Sequence, residues 1–365
     1  MKPKFRYIRI KKKLFFCLDL SLSHYLKLYF SAPECAENII TTTLLGQFFA
    51  AKFLNWVGLA AKDKIFEVGF AGLWAIKVRG GFKVFDPYRK TTRKVFNDDV
   101  PQDVVKAEIE EILQISQLDF VATVYQSNIA EGWYEEELIV GKTADYFSPA
   151  STTEFIQVYL EDVAPYLVKL IAQQPSKSVS LGEYITGLQE SLKPSMVQLN
   201  STAPQTAQLC KQLIDESIRY LDAYRDKSIS LVFSHGDFHL YNLFKTEDGL
   251  KIIDWEGLNQ QSLSHDFFTY FFSHLWLDKT KDDFVTEIEQ GMADLAKRLQ
   301  SQYAELSAEL ENSAGLYLRI YYLERIHALL TVFHSKSPAL EKWLKVYSRF
   351  NQALASAENC ELFKP

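Results

Sequence analysis

The chain has 365 residues, 47% of them hydrophobic and 24% charged, which is enough for one large domain or two ordinary ones with their own cores. A net charge of −6 argues against nucleic acid as a bulk partner, and the absence of repeats or low-complexity stretches argues against a fibrous or disordered protein. Cys17, Cys35, Cys210 and Cys360 are widely scattered with no C-x-x-C pair, a pattern that suits reduced thiols in a cytoplasmic protein better than a disulfide framework or a zinc site.

The first thirteen residues, MKPKFRYIRIKKK, carry seven Lys or Arg and no acid. Two readings stand for this arm: a solvated terminus, or attraction to an anionic membrane surface or substrate, which would make the protein peripheral at the inner membrane face. The next run, LFFCLDLSLS, is short, contains Asp19 and lacks a cleavage site, so a signal peptide is not expected. Residues 44–61, LLGQFFAAKFLNWVGLAA, include Gln47, Lys52 and Asn55 and read as a buried or amphipathic helix; no transmembrane segment is expected. Residues 1–63 are thus expected to form a basic arm and a helical extension.

From 64 to 145 the pattern is that of strands. KIFEVGF, LWAIKVR, GFKVFD, TTRKVF, VATVYQS and EEELIVG are short, rich in β-branched and aromatic residues, and separated by turn formers such as Gly80-Gly81 and Asp86-Pro87. One helix interrupts them. Pro101 and Asp103 start it, and Val105, Ile109, Ile112 and Ile115 share one face. The spacing predicts a small antiparallel sheet carrying a single helix.

Residues 146–365 read as mainly helical. Phe284, Ile288, Met292, Leu295, Leu299 and Tyr303 recur three or four apart, and LYLRIYYLERIHALLTVF reads as a deeply buried helix. Within this half lies one β interruption. SISLVF leads into the polar run SHGDFHLYNLFK, and the Asp248-Gly249 turn folds LKIIDW back as a hairpin, carrying Asp254 towards Asn242. The expected fold class is therefore α+β, two-lobed, with an antiparallel sheet lobe ahead of a larger helical lobe.

The polar run needs an explanation, because buried polar groups cost free energy unless they are satisfied. Asp237, on a loop leaving a strand, can accept a proton from a hydroxyl. Asn242 and Asp254 offer hard oxygen ligands suited to Mg²⁺. One base and two metal ligands match what phosphoryl transfer asks of a protein, since its catalysis is largely positioning and charge neutralisation. A metal hydrolase built on His235, Asp237 and His239 would lack further well-spaced ligands.

H-G-D-x-H-x-x-N followed by I-D-W-E resembles the catalytic loop and metal-binding aspartate of the aminoglycoside phosphotransferase and choline kinase superfamily, a protein-kinase-like group. The resemblance implies a kinase that uses ATP and Mg²⁺ to phosphorylate a hydroxyl of a small molecule, sugar or glycan, with Asp237 as catalytic base and Asn242 and Asp254 as metal ligands. It also implies that His235 orients the loop, that His239 fills the second histidine position of small-molecule kinases, and that Asp266 in SHDFF braces the loop or caps a helix. Glu256 would add charge near the metal or face substrate. For the nucleotide, the resemblance implies a phosphate-covering turn, best matched by Gly69 and Gly72 in EVGFAGLWAIKV, and a phosphate-pairing lysine. Lys94 with Glu108 is the leading pair; Lys83, Glu110 and Glu111 are runners-up. Residues 136–145 resemble the linker at which adenine bonds backbone groups. Glu256 and Glu324 would suit a cationic acceptor, and the basic arm an anionic one. A catalytically silent nucleotide-binding protein would have lost Asp237, Asn242 or Asp254. A protein kinase would need an activation loop after Asp254, where the chain passes within a dozen residues to HDFF.

Overall fold

The computed structural model describes residues 5–9, 14–19, 65–277, 284–332 and 337–356, with a few positions between 46 and 55. The chain divides into two compact units, Met1–Gly141 with Lys251–Ile253, and Lys142–Leu250 with Asp254–Pro365.

The first unit is a sheet with one helix. Its strands are β1 (Phe5–Arg9), β2 (Leu14–Cys17), β3 (Ile65–Val68), β4 (Trp74–Val78), β5 (Gly81–Asp86), β6 (Thr91–Phe96), β7 (Val124–Asn128) and β8 (Trp133–Glu137), and α1 (Gln102–Ile115) follows β6. Among the described residues these eight strands form one sheet in the order β3-β1-β2-β4-β5-β6-β8-β7, with every neighbouring pair antiparallel.

Phe5–Arg9, which charge counting places in a basic arm, is a strand inside this sheet, between β3 and β2. The reason is local. Tyr7 and Ile8 are buried, the Tyr7 hydroxyl donates to the Phe70 carbonyl at 2.9 Å, and the Arg6 backbone N–H and guanidinium both bond Asp19. Cationic neighbours do not prevent pairing when the residues between them are aromatic and β-branched. The reading of 44–61 falls largely outside the described residues.

The two faces of the sheet differ. Tyr7, Phe15, Cys17, Val68, Ala75 and Val84 cluster on one face, packed by Phe66, Phe82 and Val95, and the Phe66 and Phe82 rings stack at 4.4 Å. Lys94 points opposite to Val95, as strand alternation requires, and meets α1. That helix buries Val105, Ile109, Ile112 and Ile115, each contributing about 1.5–3 kcal/mol of burial.

The second unit is mostly helical: α2 (Ala144–Phe147), α3 (Thr152–Val158), a π-turn over Tyr159–Val163, α4 (Ala164–Ile171), α5 (Leu181–Thr202), α6 (Pro204–Leu221), α7 (His265–Trp276), α8 (Val285–Gln300), α9 (Ala304–His327) and α10 (Ser337–Ser356). Between them run β9 (Lys177–Ser180), β10 (Ser228–Ser234), the hairpin β11 (Leu243–Thr246) and β12 (Gly249–Ile252), and β13 (Asn259–Ser262). β10 is the middle strand of the antiparallel sheet β13-β10-β9. In α8 the stripe Ile288, Met292, Leu295 and Leu299 is buried, preceded by buried Phe284. In α9 the run Leu316–Ile326 is buried apart from Arg319, and its buried residues include two charged ones, Glu324 and Arg325. Both serve the site.

Candidate active site

β10 ends in Ser234, and the chain then turns sharply through His235-Gly236-Asp237. Gly236 has φ +77, and a Cβ there would sit 2.1 Å from the Gly257 carbonyl oxygen, so only glycine fits. The turn is held from below by Asp266 in the first turn of α7. Its two carboxylate oxygens accept the backbone N–H groups of His235 (2.7 Å) and Gly236 (3.0 Å). Asp266 is therefore a brace for the loop; the residue at the cap position of α7 is Ser264. His235 is fully buried, its Nδ1 accepts the Asp237 N–H at 3.2 Å, and its ring lies 4.5 Å from that of Trp255. These contacts make it a loop-orienting group.

Asp237 is presented by this turn between two donors. Arg325 of α9, 2% exposed, donates from Nη2 to Asp237 Oδ1 at 2.9 Å and from Nη1 to the Gly236 carbonyl at 3.3 Å. His239 Nε2 lies 3.3 Å from Asp237 Oδ2. Because His239 Nδ1 accepts the Tyr241 N–H, Nε2 is the nitrogen that faces the carboxylate as donor. Burial pushes the Asp237 pKa up, but Arg325 and then the His239 bond outweigh it and hold the carboxyl well below the usual range. Asp237 is thus a fixed carboxylate anion with each oxygen held by one partner.

Asn242, 5% exposed, lies in a single 3₁₀ turn, Leu240–Asn242. Its amide nitrogen donates to the Asp237 carbonyl at 3.0 Å. A carbonyl can only accept, so this bond sets the amide orientation and leaves the amide oxygen as the end able to ligate a cation. Asp254 follows β12 in the left-handed region, φ 67 and ψ 58, a conformation rare outside glycine and concentrated at functional positions. Its neighbours Trp255 and Gly257 pack on His235 and Gly236, so the Asp254 turn and the Asp237 loop are built against each other. An amide oxygen and an exposed carboxylate fit Mg²⁺, which keeps several waters and takes substrate phosphates beside one or two protein oxygens. Among the described residues no group of three or more His, Cys, Asp or Glu forms a denser metal cage. Glu256 is half-buried in the turn after Asp254.

Glu324 has a different place from the one its charge suggests. It is 3% exposed and accepts from the Tyr184 hydroxyl (2.5 Å), Ser262 N–H (2.8 Å), Ser262 hydroxyl (2.7 Å) and His265 Nδ1 (2.8 Å). Burial raises its pKa, and His265, Tyr184 and Ser262 more than offset that, so the carboxyl is held low. It ties α9 to β13 and α7 and is not available to an acceptor. Arg325, by contrast, is the site residue that sequence reading missed. The available signal was two adjacent charges inside an apolar helical run, LYLRIYYLERIHALL, where a charge is retained only with partners.

In the first unit, Lys94 is fully buried and its Nζ lies 2.5 Å from Glu108 Oε1, so the structure brings together the leading pair of the resemblance. Lys83 sits 3.4 Å from Glu136. Glu110 is instead the i,i+4 neighbour of Lys106 at 3.8 Å, and burial raises the Glu111 pKa. Gly69 and Gly72 lie in the connection from β3 to β4, which are not neighbours in the sheet. A Cβ on Gly72 would come 2.5 Å from the Val84 side chain and 2.8 Å from the Phe85 carbonyl, so this glycine serves packing against β5. The hairpin that does stand beside β6 is β4–β5, whose turn places Gly80 at φ +68.

Residues 158–306 match the model of a family described as the phosphotransferase enzyme family (APH). No curated protein matches the chain. Among solved structures, a choline kinase from Cryptosporidium parvum Iowa II is similar at 14% identity and TM-score 0.45, covering 79% of this chain and 88% of its own. The choline kinase LicA from Streptococcus pneumoniae is similar at 15% identity and TM-score 0.43, covering 78% and 89%. An ethanolamine kinase from Plasmodium vivax is similar at 13% identity and TM-score 0.44, covering 92% and 98%. Likeness at these values assigns nothing further to this chain. The family match spans the Asp237 loop, the Asp254 turn and the Asp266 brace, and covers less than half of the chain.

Proposed function

We propose that this protein is a kinase that moves the γ-phosphate of ATP, with Mg²⁺, to a hydroxyl of a small molecule or sugar. The observation that carries the reading is Asp237: a nearly buried carboxylate held by Arg325 and His239, on a loop whose backbone is fixed by Asp266. Each carboxylate oxygen keeps lone pairs beyond the bond it accepts, so the group can still take a hydroxyl hydrogen bond and its proton. Asn242 and Asp254 would hold Mg²⁺, which when bound offsets phosphate charge.

The Lys94–Glu108 pair supports a phosphate contact on the sheet, because a fully buried ammonium is retained only with a partner and a purpose. The turn that would cover the phosphates is Arg79-Gly80, since it ends the hairpin beside the Lys94 strand; Gly69 and Gly72 remain the alternative. Adenine would bond the backbone of residues 136–145. Glu324 is committed to structure, and Glu256, half-buried in the turn after Asp254, would meet an amino-sugar or choline-like acceptor. A cell-envelope glycan is the anionic alternative, with the exposed Arg9 facing it or an anionic membrane surface. No helix among the described residues is long and apolar enough to cross a membrane. The buried thiols of Cys17 and Cys210 suit a reducing, cytoplasmic setting.

The test has two parts. Mg·ATP should raise the melting temperature by an amount that grows with ligand concentration. A panel of amino sugars, choline, ethanolamine and glycans should then reveal an acceptor by ADP release. A folded protein whose melting ignores millimolar Mg·ATP would overturn the reading.

A further inference from the structure

Strand register places the buried Lys94 and the partly buried Lys83 on one face of the first unit. Lys83 of β5 and Lys94 of β6 are direct cross-strand partners, so their side chains leave the sheet on the same side. Lys94 is anchored to Glu108. The Lys83 chain reaches over β6 to Glu136 of β8, which is itself the cross-strand partner of Thr92. Its ammonium therefore lies above the strand that carries Lys94. The side chains of Lys83 and Glu136 are 12% and 10% exposed, and those of Lys94 and Glu108 are 0% and 24%.

This arrangement is expensive as mere scaffolding. Like charges directly opposite each other on a sheet are destabilising, and each buried ion carries a desolvation penalty that its partner offsets only in part. The opposite face of the same sheet carries the aromatic and aliphatic cluster together with one ion pair, Arg93–Glu135, whose guanidinium lies over the Phe70 and Trp133 rings. The two pairs also differ in tightness. Lys94 Nζ lies 2.5 Å from Glu108 Oε1, and Lys83 Nζ lies 3.4 Å from Glu136 Oε1.

We propose that Lys83 is a second phosphate-binding cation that works beside Lys94, leaving Glu136 for the phosphate oxygens when the nucleotide binds. The inference rests on the nucleotide reading above and extends it: the site is built for a polyphosphate with charge on more than one phosphoryl group. Lys94, held by Glu108, is the fixed cation, and Lys83 the one that exchanges partners.

Binding of Mg·ATP, Mg·ADP and adenosine to the intact protein, by calorimetry and by ligand-observed NMR for adenosine, tests this without an acceptor. Lys83→Met and Lys83→Gln should each weaken Mg·ATP by about tenfold or more, as loss of a charge-assisted contact implies, with adenosine unchanged. Glu136→Gln, which removes the competing carboxylate, should keep or tighten Mg·ATP binding. If Mg·ATP binds the Lys83 variants as it binds wild type, or if ATP and adenosine weaken together, Lys83 is a structural ion-pair member and the proposal falls alone. If wild type binds no Mg·ATP, the nucleotide reading falls and this proposal with it.

Discussion

Arg325 shows how a single side chain can decide what a carboxylate does. Its guanidinium touches both the Asp237 carboxylate and the Gly236 carbonyl, and it rests 5.3 Å from the ring centre of Trp343. Lysine has the charge but not the fork, so it cannot hold two acceptors in one plane. Once an acceptor is in hand, Asp237→Asn should lower turnover by about a hundredfold or more, with nucleotide binding retained. Arg325→Lys should lower turnover less than Arg325→Met. In the Asp237→Asn background neither Arg325 change should cost much more, because the group that Arg325 positions is already gone. Additive losses in that cycle would show that Arg325 acts elsewhere.

At the scale of elements, α9 supports the site through two consecutive residues. Arg325 reaches the Asp237 loop while Glu324 collects four hydrogen bonds from α5, β13 and α7. Glu324→Ala strands several buried donors at once and should cost about 3 kcal/mol or more, read as a fall in the denaturant midpoint. The pH dependence has a definite sign. The folded Glu324 pKa is depressed, so its contribution is complete above the ordinary glutamate value near 4.3 and is lost as pH falls through the lower folded value. Glu324→Gln should therefore flatten the acid limb of the stability curve below about pH 4; an unchanged limb would assign acid lability to other carboxylates.

For the molecule as a whole, β1 changes what truncation means. Removing residues 1–13 takes a strand from between β2 and β3 and withdraws the buried Tyr7 and Ile8. At about 1.5–3 kcal/mol for each fully buried side chain, the loss is several kcal/mol. The truncated chain should melt well below wild type, and nucleotide binding should suffer through the sheet; wild-type melting after truncation would mean that β1 is dispensable. Charge reversal at exposed Arg9 separates surface attraction from folding, since it should reduce sedimentation with anionic vesicles at low salt while melting stays unchanged.

Local pattern alone determined a good deal of this protein. Period-two runs and turn residues marked β3 to β7 and the end of β8, which stops at Glu137 where the expected strand ran on to Gly141; helical spacing marked the buried face of α1 and the stripe of α8, and the Asp-Gly turn marked the β11–β12 hairpin. Asp237, Asn242, Asp254 and Asp266 were legible because they fall between residues 237 and 266, a segment whose Asp-Gly turn folds it back on itself. Other features depend on contacts between residues far apart in sequence. Arg325 is 88 residues from Asp237, and no local signal says which loop a buried helix will face. Glu324 looked like an acceptor contact until burial committed its oxygens, and β1 looked like a charged tail until two strands paired with it. Lys83 and Lys94 read as rivals for one role along the chain, whereas the strand register makes them neighbours on one face. Side-chain chemistry and local periodicity are written in sequence, but which charge is buried, and against what, follows only from the packing of distant segments.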